Sequence, residues 1–200
     1  MNCYAEELVP IYKKLGIDIK KMFCTMLNAE WSPDQQETWK TMFESSGAKP
    51  YTSKDKSWIK WYVYQKHPHV TLLYWTLGNV NADMIKTVLT DWTPSPIDIR
   101  EISYFDSPDK EEYYCIIAKV SITDNLLKAR SLLELLPHVN TFPDYKAHIT
   151  LGYIEKDQDA LDSILSINKK QNWINWLNPM SVQPTHVVYD NNSGEPTIIL

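Results

Sequence analysis

A chain of 200 residues, 44% hydrophobic and 22% charged, is long enough for one good-sized core or two small lobes that share one. A formal net charge of −5 argues against a broad basic surface for long nucleic acid, and no apolar run approaches the length of a membrane span. Cys3, Cys24 and Cys115 are odd in number and far apart, so neither a disulfide framework nor a zinc site is expected. With no basic or apolar leader at its start, the chain is expected to be cytoplasmic.

The first 47 residues read as a helical extension, ahead of a bilobal domain over residues 48–200. Leu8, Ile11 and Leu15 stand at helical spacing around Pro10, with Gly16 as a stop, and Ile19, Met22, Phe23 and Met26 repeat that spacing. Ser32 is an N-cap followed by Pro33 and Gln35. Trp39, Met42 and Phe43 give the helix its apolar face, and Gly47 ends it. Residues 47–57 form a polar loop expected to be mobile, and residues 58–64 are aromatic and β-branched, as in a strand.

A strand from His69 to about Thr76 comes next, then a helix capped by Asn81 and faced by Ile85, Val88, Leu89 and Trp92. Residues 97–105 read as a strand with a phase slip around Arg100, and residues 113–122 as a largely apolar central strand. Thr123 or Asp124 caps a helix that stops at Pro137. A second motif strand begins at His148, and Asp157 caps the helix after it. A Trp-rich connection over 173–177 precedes two last strands, around a turn at 191–194.

The chemistry lies in a repeat. Residues 69–74 are His-Val-Thr-Leu-Leu-Tyr, and residues 148–153 are His-Ile-Thr-Leu-Gly-Tyr. Side chains alternate faces along a strand, so His69 and Thr71 share one face while Val70 and Leu72 share the other. His148 and Thr150 repeat this against Ile149 and Leu151. Each copy thus offers an imidazole, able to move a proton near neutral pH, beside a hydroxyl able to hold an anionic oxygen. By the same parity Tyr74 and Tyr153 fall on the core side. A strand–helix–connection–strand order follows each copy, so supersecondary structure repeats as well as six letters. The fold class is α+β: two pseudo-symmetric antiparallel-sheet lobes with outer helices and a central cleft.

These two His-x-Thr motifs resemble those of the two-histidine (2H) phosphoesterases, and residues from about 57 to 200 fit that layout. The resemblance implies that His69 and His148 act as general acid and base, that Thr71 and Thr150 hold the phosphate, and that neither cofactor nor metal is needed. Which histidine is the base stays open. The chain looks most like the phage anti-CBASS enzymes, which cleave 3′–5′ linkages of cyclic di- and trinucleotide immune signals. RNA 2′,3′-cyclic and 2′,5′-phosphodiesterases are the alternatives within the superfamily. The expected partner is then a small cyclic nucleotide, with no long nucleic acid and no membrane.

Candidate base-stacking residues are Tyr51, Trp75, Tyr145, Trp173 and Trp176. A metallohydrolase would want clustered ligands, and His67 at the His-Pro-His spacing is the nearest approach to one. His138 and His186 carry no motif and read as surface or structural. A nucleotide sponge on the same scaffold is the non-enzymatic alternative, and both retained His-x-Thr motifs argue against it.

Overall fold

The motif strands stand side by side at the middle of one sheet. The computed structural model describes residues 23–51, 68–107, 113–139, 144–169, 180–190 and 197–200. Its strands are β1 (Phe23–Ala29), β2 (His69–Thr76), β3 (Ile97–Asp106), β4 (Tyr113–Val120), β5 (His148–Glu155), β6 (Ser181–Val182), β7 (Pro184–Asp190) and β8 (Thr197–Ile198). Every pairing is antiparallel, in the order β6-β3-β4-β5-β2-β1-β7-β8. Read outward from the centre, the two halves match: β5 and β2 carry the motifs, then β4 and β1, β3 and β7, β6 and β8. This is the expected α+β, two-half architecture.

Four helices accompany the sheet among the described residues: α1 (Pro33–Ser46), α2 (Ala82–Val88), α3 (Asp124–Leu133) and α4 (Gln158–Ser166). Their starts follow from local chemistry. Ser32 Oγ accepts from Gln35 N–H while the Gln35 side chain accepts from Ser32 N–H, a complete capping box. Asn81, Thr123 and Asp157 cap the other three as expected. Gly47 closes α1 at φ 72, a left-handed conformation that glycine adopts without strain. None of these helices is long and apolar enough to cross a membrane.

One sheet face is buried against the helices. Val70, Leu72, Ile149 and Leu151 are at most 1% exposed and share a core with Trp39 and Phe43 of α1, Ile85 of α2, Leu126 and Leu133 of α3, and Leu161 and Ile164 of α4. Each such side chain contributes roughly 1.5–3 kcal/mol by leaving water. β4 is buried on both faces, as its apolar run requires, and β3 slips register between Ile99 and Glu101, where the phase slip stands in the sequence.

The expected helical turn at Phe23 and Met26 is instead strand β1. Phe23, Thr25, Leu27 and Ala29 face the core with a period of two, and β1 lies between β2 and β7. The four apolar residues from Ile19 to Met26 fit helical spacing, but sheet pairing on both edges outweighs that local signal. The boundary drawn at residue 47 therefore has a direct sheet neighbour of β2 on its N-terminal side. The helix expected over 4–15, Ile19, Met22, the strand over 58–64, His67, Trp173, Trp176 and the turn over 191–194 lie outside the described residues.

Candidate active site

The two halves meet where Val70 pairs with Ile149. Those side chains enter the core, so the flanking residues emerge on the other face, hereafter the motif face. Antiparallel register carried one step each way sets His69 across from Thr150 and Thr71 across from His148. Residues directly opposite stand about 5 Å apart and diagonal ones roughly 7–8 Å. Both His-x-Thr motifs thus surround one ladder pair, with two imidazoles on one diagonal and two hydroxyls on the other. That span suits a single phosphodiester.

A second duplication lies one residue further along. Against β1, Met26 pairs with Thr71 but Thr25 pairs with Leu73. Against β4, Ile117 pairs with Thr150 but Ile116 pairs with Gly152. Each motif strand therefore carries an extra residue, Leu72 in one copy and Leu151 in the other, and its side-chain parity flips there. The expectation that Tyr74 and Tyr153 face the core is corrected by these bulges, which turn both onto the motif face. Tyr153 sits edge-on to Tyr113 at 5.6 Å between ring centroids, in a cluster with Cys115, Ile117, Phe105 and Tyr51. Simple alternation cannot reveal a bulge, although its repetition at equivalent positions is itself part of the repeat.

His148 is half-buried in the half formed by β5, β4, β3 and β6. Its Nδ1–H donates to the Lys146 carbonyl at 2.7 Å, because a carbonyl can only accept. In the neutral ring Nε2 therefore holds the lone pair. Burial pushes the imidazole below the ordinary histidine value of 6.5, and the bond to Lys146 opposes this in part. Phe105 packs edge-on against the ring at 4.9 Å. The cross-strand neighbour of His148 is Lys119, ion-paired with Glu101 on β3.

His69 has different company in the half formed by β2, β1, β7 and β8. Its cross-strand neighbour is Asn28, whose neighbour in turn is His186. Asn28 Nδ2 lies 3.2 Å from His186 Nε2, and His186 Nδ1 lies 2.8 Å from Thr185 Oγ1. Neither Asn28 nor His186 stands out in the sequence, since β1 reads locally as helix and His186 has no motif around it. His138, by contrast, bonds the Leu136 carbonyl through Nδ1.

Among the expected stacking residues, Tyr51 is half-buried on the motif-face cluster, 4.9 Å from Tyr113, with its N–H bonded to the Tyr153 carbonyl. Tyr145 is tethered: its hydroxyl donates to the Thr71 carbonyl at 3.1 Å, and the Arg130 guanidinium lies 4.7 Å from the ring centroid. Burial pushes its phenol well above the usual tyrosine range, so the hydroxyl stays a donor. Tyr145 thus ties the approach to β5 onto β2. Trp75 is 5% exposed and left-handed at φ 62, an uncommon conformation for a bulky residue, where the register against β1 slips again. Among the described residues, no three His, Cys, Asp or Glu side chains gather closely enough to hold a metal ion.

No family model and no curated protein matches the chain. Solved structures do. The structure of Kluyveromyces marxianus Usb1 with uridine monophosphate matches at a TM-score of 0.61 and 11% identity, over 90% of this chain and 98% of that one. A second structure of Kluyveromyces marxianus Usb1 matches at the same TM-score and identity, over 91% and 99%. The chain therefore has the fold of these Usb1 structures, the 2H phosphoesterase-like fold expected from its two motifs.

Proposed function

We propose that the chain is a metal-independent 2H-type phosphodiesterase that cleaves a ribonucleotide linkage through attack by its 2′-hydroxyl. The observation that carries this reading is the Val70–Ile149 pair, which gathers His69, Thr71, His148 and Thr150 on one face. His148 is the base. Its neutral form is favoured, and the bond from Nδ1 leaves Nε2 free to take the 2′-hydroxyl proton. The 2′-oxygen attacks phosphorus in line, and the bond from phosphorus to the 5′-oxygen breaks. His69, entering as imidazolium, gives its proton to that oxygen. Thr71 and Thr150 hydroxyls donate to the non-bridging oxygens as charge gathers there. The products are a 2′,3′-cyclic phosphate and a free 5′-hydroxyl.

The match to a Usb1 structure holding uridine monophosphate supports a ribonucleotide ligand. The narrower reading, a cyclic di- or trinucleotide immune signal cleaved to evade antiphage defence, is supported by the acidic balance and the aromatic residues facing the site. One experiment tests both. The protein is incubated in excess EDTA with a linear diribonucleotide, its 2′-deoxy counterpart, and cyclic di- and trinucleotides, and the products are separated by chromatography. Cleavage of ribo-linkages to 2′,3′-cyclic ends is expected, and 2′-deoxy linkages remain intact. Equal turnover of the deoxy compound would sink the mechanism. Cleavage of the linear substrate alone would remove the cyclic-nucleotide reading.

A further inference from the structure

We propose that Lys119 is a specificity-determining residue, whose ammonium takes the phosphate on the 5′ side of the nucleotide that supplies the attacking 2′-hydroxyl. β4 is buried at every position but one, and that one is Lys119. It is the cross-strand neighbour of His148, and Glu101 on β3 is its own neighbour on the other side. Ala118 and Val120 beside it enter the core, so Lys119 emerges on the motif face. Its side chain is half exposed, and among the described residues its hydrogen-bond partner is Glu101. An ammonium has three donors, so this bond leaves donors for an incoming anion. A solvated pair of this kind contributes little to stability, which leaves it open to exchange with a ligand.

The matching place in the other half is uncharged. The strand order matches β4 with β1 and β3 with β7, so Asn28 and His186 stand there where Lys119 and Glu101 stand here. A phosphodiester over the seam between β5 and β2 has one nucleotide toward each half. With His148 as base, the nucleotide that supplies the 2′-hydroxyl lies toward β4. The line of β4 is one and a half strand spacings from that seam, roughly 7 Å. This is on the order of the step between successive phosphates of a ribonucleotide chain. The 5′-phosphate of the attacking nucleotide thus comes within reach of Lys119, whereas a phosphate beyond the leaving nucleoside faces the Asn28 side. The substrate class follows: a chain with a second phosphate on the 5′ side. Every nucleotide of a cyclic di- or trinucleotide has one, and an unphosphorylated linear dinucleotide lacks it.

The direction of the bound chain rests on the phosphodiesterase reading, and a binding measurement separates the two. The ligand is a dinucleotide with a 2′-deoxyribose at the attacking position, prepared bare, with a 5′-phosphate and with a 3′-phosphate. Each is titrated into the full chain by calorimetry. The 5′-phosphorylated ligand should bind about fivefold tighter than the bare one, and the 3′-phosphorylated ligand within about twofold of it. Lys119→Gln should remove the 5′ preference and leave the affinity for the bare ligand within about twofold of the parent. Lys119→Arg should keep the preference, and Glu101→Gln should enlarge it. Equal affinity for the 5′- and 3′-phosphorylated ligands would overturn the assignment, as would a 5′ preference that survives in Lys119→Gln. Should the preference hold while the ribo counterparts stay uncut, the phosphodiesterase reading fails and the Lys119 subsite stands. Should they be cut to 2′,3′-cyclic ends with no 5′ preference, the subsite fails alone.

Discussion

The half built around His148 and the half built around His69 share a backbone plan and differ in what they place next to the imidazole. Both put the motif strand innermost, and both carry a bulge at the residue after the threonine that turns a tyrosine toward the site. Yet His148 is flanked by Phe105 and the Lys119–Glu101 pair, over a buried floor of Tyr113, Cys115 and Ile117. His69 has Asn28 as its cross-strand neighbour on β1, and Asn28 in turn has His186 on β7. Apolar surroundings disfavour an imidazolium, which is the direction in which burial moves His148. Duplication of one strand thus supplies two like groups, and the neighbouring strands give them different surroundings, as the proposed division into base and acid requires.

The largest effect that would break this comparison is loss of either histidine. His69→Ala and His148→Ala should each reduce kcat by about 10²–10⁴-fold on a ribo-linkage, and an unaffected variant would remove that half from the chemistry. Next come the hydroxyls. Thr71→Val and Thr150→Val should each cost about 10²-fold in kcat, with the serine variants close to the parent. The pH profile sharpens the division. In the proposed role of base His148 must be neutral, and burial holds it below the ordinary 6.5, so activity should rise with pH along an acid limb centred below that point. A limb centred above it would assign the base elsewhere. The smallest effect concerns the seam between the halves. Tyr145→Phe strands the Thr71 carbonyl and should lower stability by about 1 kcal/mol, read as a lower Tm in thermal unfolding.

Much of this was legible in the residues. Parity along each His-x-Thr strand separates Val70 and Ile149 from the polar residues beside them, and the caps at Ser32, Asn81, Thr123 and Asp157 mark helices that form there. What escaped has a common physical cause. β1 is a strand because β2 and β7 pair with both its edges, which no local spacing encodes. Tyr74 and Tyr153 face the site because each motif strand holds one residue more than its neighbour accommodates. Asn28 and His186 meet across 158 positions of sequence, a proximity that exists only once the sheet does.

The strand order also has a consequence for the sequence of folding. The His148 half is continuous, since β3, β4, β5 and β6 all fall between residues 97 and 182. The His69 half is gathered from separated stretches, and β1 waits for β7, some 160 residues downstream, to supply its outer neighbour. Closing so long a loop costs more entropy than closing the local hairpin of β3 and β4. Pulse-labelled hydrogen exchange during refolding should therefore show amide protection in β4 and β5 before β1 and β7. His148 would then be in place first, on a preformed half-sheet against which the half that carries His69 completes.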